Sequence, residues 1–244
     1  YVFDENGHGT ELTNNSWTPI GDNWYYVKDN QALKDCVEKI GNEYYGFDWN
    51  GKMIKNPFSR YDSEEKRYIS YRPKGNGSLY VNSWYDENGT WYYYGEAGKS
   101  AKGYTNVSNT FYFFYEDGRM CINSIEIDSD AVAYRTDANG HVSVIGNGWT
   151  EDLDRGAWIY VENEKAVRDG IKQIGNSKYV FSNYYMYENK TYFDSINKKY
   201  YLIQQGGAIY ENPGWKDLYG SWYYVKGDGT LYTGVLNDGG HTYY

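Results

Sequence analysis

The sequence is short of the residues that most folded chains use to build or staple a core. Leu, Ile, Val and Phe together make up 43 of 244 residues, a poverty that in a highly charged chain points to disorder. Here the net charge is only −9, and 32 Tyr and 9 Trp offer large apolar areas in place of Leu. A folded chain is therefore expected. No stretch approaches the roughly 18 apolar residues of a membrane span. A basic surplus is also missing. The pI near 4.9 excludes nucleic acid or anionic lipid as the main partner, since both demand a positive surface. Cys36 and Cys121 are too few and too far apart for a disulfide scaffold, and no CxxC spacing suggests zinc; buried free thiols are expected. Starting at Tyr1 without Met and ending on Tyr243-Tyr244, the chain reads as a piece of something longer.

Catalytic constellations are missing too. His8, His141 and His241 each stand beside a turn Gly, and no HExxH, GxSxG or phosphate-binding loop occurs. The carboxylate pairs Asp152/Asp154 and Glu64/Glu65 read as exposed charged loops rather than as a glycosidase pair. Neither an EF-hand loop nor a GGxGxD repeat is present. A non-enzymatic chain without cofactor or metal is expected.

What the sequence does have is repetition. Aromatic clusters recur at Tyr25-Tyr26, Tyr44-Tyr45, Tyr68 to Tyr71, Tyr92-Tyr93, Tyr112-Phe113, Tyr160, Tyr179 to Phe181, Tyr200-Tyr201, Tyr223-Tyr224 and Tyr243-Tyr244, mostly 19 to 26 residues apart. Between them lie turn signals: Asp4 to Gly7, Asn50-Gly51, Asn76-Gly77, Asn88-Gly89, Asp117-Gly118, Asn139-Gly140 and Asp228-Gly229. Asn-Gly and Asp-Gly tolerate the positive φ of tight turns, so this pattern predicts successive β-hairpins. Asn30 to Ile40 and Glu162 to Ile174 carry some helical spacing but fall where second strands of hairpins are expected.

A longer period is superimposed. Trp17, Trp84, Trp149 and Trp215 are 67, 65 and 66 residues apart, and each has a second Trp downstream at Trp24, Trp91, Trp158 and Trp222. Met53, Met120 and Met186 keep the same period, as do Asp62-Ser63, Asp128-Ser129 and Asp194-Ser195. The expected fold is thus all-β, a solenoid of tandem hairpins with three to each super-repeat of about 66 residues. Its divisions are a partial leading hairpin at 1–16, super-repeats at 17–83, 84–148 and 149–214, and a truncated one at 215–244. The Asp series is expected to close turns through side-chain-to-backbone hydrogen bonds, and the Met residues to fill core gaps.

Ile20 to Val27, Asn88 to Tyr94 and Gly220 to Val225 resemble the NGxWYYF core of the cell-wall-binding repeat superfamily. Gly148-Trp149 and Gly214-Trp215 resemble its opening GW, and Asp228 to Gly234 its closing DGxxxTG. The superfamily includes choline-binding modules, glucan-binding repeats of streptococcal glucosyltransferases and the C-terminal repeats of clostridial toxins. The resemblance implies pockets made from the two Trp residues of one hairpin and an aromatic of the next. Carried over by position, these are Trp17, Trp24 and Tyr44; Trp84, Trp91 and Phe111; Trp149, Trp158 and Tyr179; and Trp215, Trp222 and Tyr243, on one stripe of the solenoid. Trp and Tyr faces stack on sugar rings and attract quaternary ammonium groups, so choline, a glycan or a cell-wall polymer would each suit them. The expected role is attachment of a secreted or surface-bound bacterial protein, as part of a larger chain. The alternatives are a structural spacer or protein-interaction stalk whose aromatics only pack, and the glycan-binding tail of a toxin or adhesin.

Overall fold

The computed structural model describes residues 2, 3 and 6–243. Asp4 and Glu5 of the first turn signal and Tyr244 of the last aromatic pair lie outside the described residues, as does Tyr1. Regular structure is almost wholly antiparallel β; the only helical turn among the described residues is the three-residue 3-10 segment Glu96–Gly98. The first Trp period contains Ser16–Ile20 paired with Asn23–Lys28, Cys36–Ile40 with Glu43–Phe47, and Phe58–Asp62 with Arg67–Tyr71. The second holds Ser83–Glu87 with Thr90–Tyr94, Gly103–Val107 with Thr110–Phe114, and Ile125–Ile127 with Ala133–Thr136. The third holds Gly148–Asp152 with Ala157–Glu162, Gly170–Ile174 with Ser177–Ser182, and Lys190–Asp194 with Lys199–Ile203. Gly214–Leu218 with Ser221–Val225, then Leu236–Asp238 with His241–Tyr243, begin a fourth. The two segments with helical spacing end in Cys36–Ile40 and Gly170–Ile174, which are first rather than second strands.

The turn chemistry is more differentiated than the Asn-Gly count suggests. Asn88-Gly89 joins two strands directly, with φ of 55° and 85°, the two left-handed residues of a type I′ turn. Most of the other signals instead close the segment after a hairpin: the N–H groups of Gly51, Gly77, Gly118, Gly140 and Gly229 donate to carbonyls three residues back. The chain then turns inward and bonds to the preceding hairpin, as Met53 N–H does to the Trp24 carbonyl and Met120 N–H to that of Trp91, both at 2.8 Å. The methionines thus sit beyond the second strands, in bridges that pair Met53 with Phe47 and Met120 with Phe114.

The residue that opens a hairpin is repeatedly left-handed. Asn15, Asp35, Asn82, Asn123 and Asn189 have φ between 45° and 53°, and Gly148, Gly170 and Gly214 have φ of 122°, 93° and 112°. Asn and Asp bear this conformation better than other side-chain residues, and Gly bears it freely. Ser16 and Ser83 can therefore stand where Gly148 and Gly214 stand, because Asn15 and Asn82 supply the left-handed residue one place earlier.

Two compact units divide the described chain, 1–121 and 122–244. Within each, stacked hairpins bury one face of their second strands, as a β-hairpin solenoid does. In the first unit Ile69, Tyr71 and Leu79 form a cluster against Val37, Tyr44 and Phe58. In the second, Ile159, Val161 and Ala166 join Ile125, Ala133 and Ile145, while Val180, Ile203 and Ile209 form another cluster, and Leu202, Val225 and Leu231 a third. Neither cysteine is in a disulfide; Cys121 is buried, but Cys36 is only half-buried, with its thiol pushed up by burial first and then by Glu38. No helix among the described residues is long and apolar enough to cross a membrane.

Candidate functional site

Alternation along a strand sets the site. In Trp24-Tyr25-Tyr26-Val27, Tyr25 and Val27 are buried at 5% and 7% exposure, whereas Trp24 is 38% exposed. Trp17 lies directly across from Tyr26, and Trp24 across from Pro19. The same register recurs: Trp84 faces Tyr93, Trp149 faces Tyr160 and Trp215 faces Tyr224. In the third site two additional residues separate the Trp pair. They are absorbed in the turn after Asp152, so Trp158 still faces Glu151 as Trp91 faces Asp86.

The leading Trp rings are held almost identically. Their centroids lie 5.1, 5.2, 5.0 and 5.4 Å from Tyr26, Tyr93, Tyr160 and Tyr224 of the same hairpin. From the next hairpin, Tyr45, Tyr112, Tyr179 and Tyr243 approach to 4.7, 4.8, 4.8 and 4.5 Å. Phe47, Phe114 and Phe181 underlie the first three at 5.8, 5.9 and 5.8 Å. The second Trp stands edge-on to the first at 6.3 Å in both Trp17/Trp24 and Trp84/Trp91.

Two expected partners are displaced by one residue. Tyr44 packs on the opposite face of its hairpin, against the Ile69 cluster, and Tyr45 meets Trp17 instead. Phe111 stacks on Tyr104 at 4.7 Å with rings 3° apart, and Tyr112 meets Trp84. Strand pleating sends adjacent side chains to opposite faces, so a one-residue offset exchanges core for site. The sequence carries the correct signal: the second Trp and its partner are 21 residues apart in all four cases, Trp24 to Tyr45, Trp91 to Tyr112, Trp158 to Tyr179 and Trp222 to Tyr243.

Two of the clefts, both in the second unit, are open hollows. Trp149, Trp158 and Tyr179, with Met186, Glu188 and Gly206, border one of about 320 Å³. Trp215, Trp222 and Tyr243, with neighbours that include Tyr224, Tyr232 and Leu236, border one of about 260 Å³. These volumes are at or below the small end of ligand pockets, of the order of one ring or one ammonium head group. In the fourth site the Trp215 indole donates to Asp238 Oδ2 at 2.9 Å. Sequence reasoning placed neither Glu188 nor Tyr232 at a site; their positions depend on the inward turn after each hairpin. Gly207, at φ +80°, leaves the room Met186 occupies: a Cβ there would stand 2.2 Å from the Met186 sulfur. Gly77 and Met53 repeat this device.

The Asp series lies elsewhere and closes turns. Asp62 Oδ1 accepts from the backbone N–H of Glu64 and Glu65, Asp128 Oδ1 from Asp130 and Val132, and Asp194 Oδ1 from Ile196 and Asn197. Of the two carboxylates at the long turn, Asp154 is exposed. Asp152 is buried, accepting hydrogen bonds from Arg155 and from the Tyr185 hydroxyl. No group of three or more metal-ligating side chains occurs among the described residues.

Fold and clefts together define a tandem β-hairpin repeat protein with a recurrent aromatic site. Its closing and opening motifs resemble those of the cell-wall-binding repeat superfamily. No family model matches the chain. Over 226 residues, 92% of its length, it is 26% identical to glucosyltransferase-I of Streptococcus downei, and over 231 residues, 93% of its length, 25% identical to glucosyltransferase-S of Streptococcus mutans. It spans only 13% and 15% of those two proteins. Among solved structures it is similar to the choline-binding domain of CbpL from Streptococcus pneumoniae, with 23% identity, a TM-score of 0.40, and 80% of this chain and 97% of that one covered. The modular autolysin LytC of the same species gives 18% identity and a TM-score of 0.39 over 94% of this chain and 50% of that one.

Proposed function

We propose that the chain is a non-catalytic binding module that attaches a larger, secreted or surface-bound bacterial protein to cell-wall polymer or surface carbohydrate. The observation that carries this reading is the fourfold recurrence of one ring arrangement, with the outer Trp exposed in three of the four: Trp24, Trp91 and Trp222 are 38%, 42% and 65% exposed, and Trp158 is half-buried. A spacer needs packing at every hairpin; it has no use for a half-open Trp pair at every third. Aromatic faces lying open beside a third ring stack on the C–H face of a sugar or surround an ammonium group.

The relatives matched by sequence are glucosyltransferases, which makes a glucose polymer the first ligand to try and a choline-bearing wall polymer the second. The test is Trp fluorescence of the intact chain titrated with α-glucan, bacterial wall fragments and choline, alongside Trp24→Ala and Trp91→Ala. Quenching by one class, weakened in both variants while the fold is kept, is the expected result. A flat response to all of them, with the variants altered only in stability, would return the chain to the role of a stalk.

A further inference from the structure

A two-residue turn between antiparallel strands gives its first residue a positive φ, where a side chain crowds its own backbone. Every such turn among the described residues keeps this rule, with φ between 48° and 62° at the first position. At all but one, that residue is Gly, Asn, Asp or Ser, as in Gly21, Asn88, Ser108 and Gly175. The exception is Tyr219, at φ 52° in the turn between Leu218 and Ser221. A bulky residue in this conformation is strained, and strain persists where something outweighs it. Packing does not outweigh it here. Tyr219 is 83% exposed and has no ring contact, hydrogen bond or ion pair among the described residues. The other Tyr with positive φ, Tyr184, is half-buried against the Ile159 cluster, so the fold accounts for it.

Beside Tyr219 lies the fourth cleft. Trp222, three residues on at the same hairpin tip, is 65% exposed and borders the hollow of about 260 Å³ together with Trp215 and Tyr243. That space is of the order of one sugar ring. Tyr219 stands outside it, among the exposed small and polar residues Asp217, Gly220 and Ser221. We propose that Tyr219 extends the fourth cleft: a glycan chain with one ring in the hollow lays its next ring on the face of Tyr219. The proposal rests on the reading of the clefts as ligand sites, and it gives the fourth a preference for oligomers over single rings. A Tyr face stacks on the C–H face of a pyranose. One ring in a polar rim is too small for a protein interface, which takes roughly 800 Å² from each partner.

The test compares the intact chain with Tyr219→Asn, which removes the ring and suits the turn, and with Tyr219→Phe, which keeps the ring. Glucose, maltotriose, isomaltotriose and choline are titrated, following Trp fluorescence and calorimetric heat. The series is repeated with Trp24→Ala, Trp91→Ala and Trp158→Ala combined, so that the fourth cleft alone keeps both tryptophans, and near-ultraviolet circular dichroism verifies the remaining aromatic packing. Expected in Tyr219→Asn is a loss of about three- to tenfold in affinity for one or both trisaccharides, with glucose affinity within about twofold. Its urea midpoint should rise as the turn relaxes; a lower midpoint would mean that the ring serves the fold and would overturn the proposal. Tyr219→Phe should bind as the parent chain does. A trisaccharide-to-glucose affinity ratio left unchanged in Tyr219→Asn would remove Tyr219 from the site, as would choline binding without a response to any sugar. Concentration-dependent sedimentation of the parent chain that disappears in Tyr219→Asn would assign the ring to a contact between copies instead. Absence of binding by every probe to the parent chain would overturn the ligand-site reading beneath the proposal.

Discussion

The two tryptophans of each pair do different work. Trp84 touches Tyr93, Tyr112 and Phe114 and ties one hairpin to the next, whereas Trp91 keeps 42% of its surface open. Trp84→Ala is therefore expected to cost about 3 kcal/mol in urea unfolding and Trp91→Ala about 1 kcal/mol or less. Equal losses would mean that both rings are merely core. Which of two neighbouring aromatics reaches a site was legible only through the constant 21-residue interval. Tyr44-Tyr45 and Phe111-Tyr112 look alike to any rule based on hydrophobicity, and only the pleat decides which one meets the preceding Trp. Glu188 left no comparable sequence signal, since a single carboxylate between Tyr187 and Asn189 reads as an ordinary surface residue until the backbone turns it toward a hollow.

Single residues also set the acid limit of the fold. Asp62 accepts from the Lys99 ammonium at 2.8 Å and from two backbone N–H groups, which hold its carboxyl at about 2 against the usual 3.8. The unfolded chain thus binds the proton more readily. The stabilisation is fully present above about pH 4 and is lost as pH falls through about 2. Asp62→Asn should flatten the fall of thermal stability across that window. An unchanged slope would assign the acid sensitivity to other carboxylates.

At the level of the hairpin, the aromatic clusters and the period of Trp and Met gave the order of the hairpins, because the clusters fall on second strands, but not the short third strands Gln31–Ala32, Val142–Val144, Lys165–Ala166 and Tyr185–Met186. They also did not give the inward turn after each hairpin, which depends on a left-handed Asn or Gly and on backbone bonds made to the preceding hairpin, as between Met53 and Trp24 or Leu79 and Tyr44. The hairpin of Gly148–Asp152 and Ala157–Glu162 shows how such a unit is modified. Burial pushes the Asp152 carboxyl up, but Arg155 and the Tyr185 hydroxyl more than offset this and hold it below the usual range. Asp152→Ala removes the acceptor of the Tyr185 hydroxyl and the ion partner of Arg155, which keeps only the Ile125 carbonyl and the Tyr185 oxygen, and is expected to lower stability by about 1–3 kcal/mol, a loss read by chemical denaturation. Asp154→Ala, at an exposed position of the same turn, serves as the near-neutral comparison.

For the whole molecule, repetition predicts how binding should decay. Repeated weak sites on one chain raise the apparent affinity for a polymer far above that for its monomer, provided the polymer can reach more than one site. Removing the outer tryptophans one after another, from Trp24 through Trp91 and Trp158 to Trp222, should reduce monosaccharide binding step by step. Retention on the polymer should instead fall disproportionately at the first one or two. A proportional fall for both would show that the sites act singly. Stability, by contrast, should respond locally, since hairpins in a stacked array draw their support from near neighbours.

The lengthened turn between Asp152 and Ala157 has a practical consequence. Two extra residues entered there without moving any ring across the strands, and the tip residue Leu153 is 76% exposed. Graft tolerance concentrates at such tips. A peptide epitope or fluorophore-accepting tag inserted between Leu153 and Asp154 would report on the adjacent cleft from outside, with Asp152, Arg155 and every aromatic wall left in place.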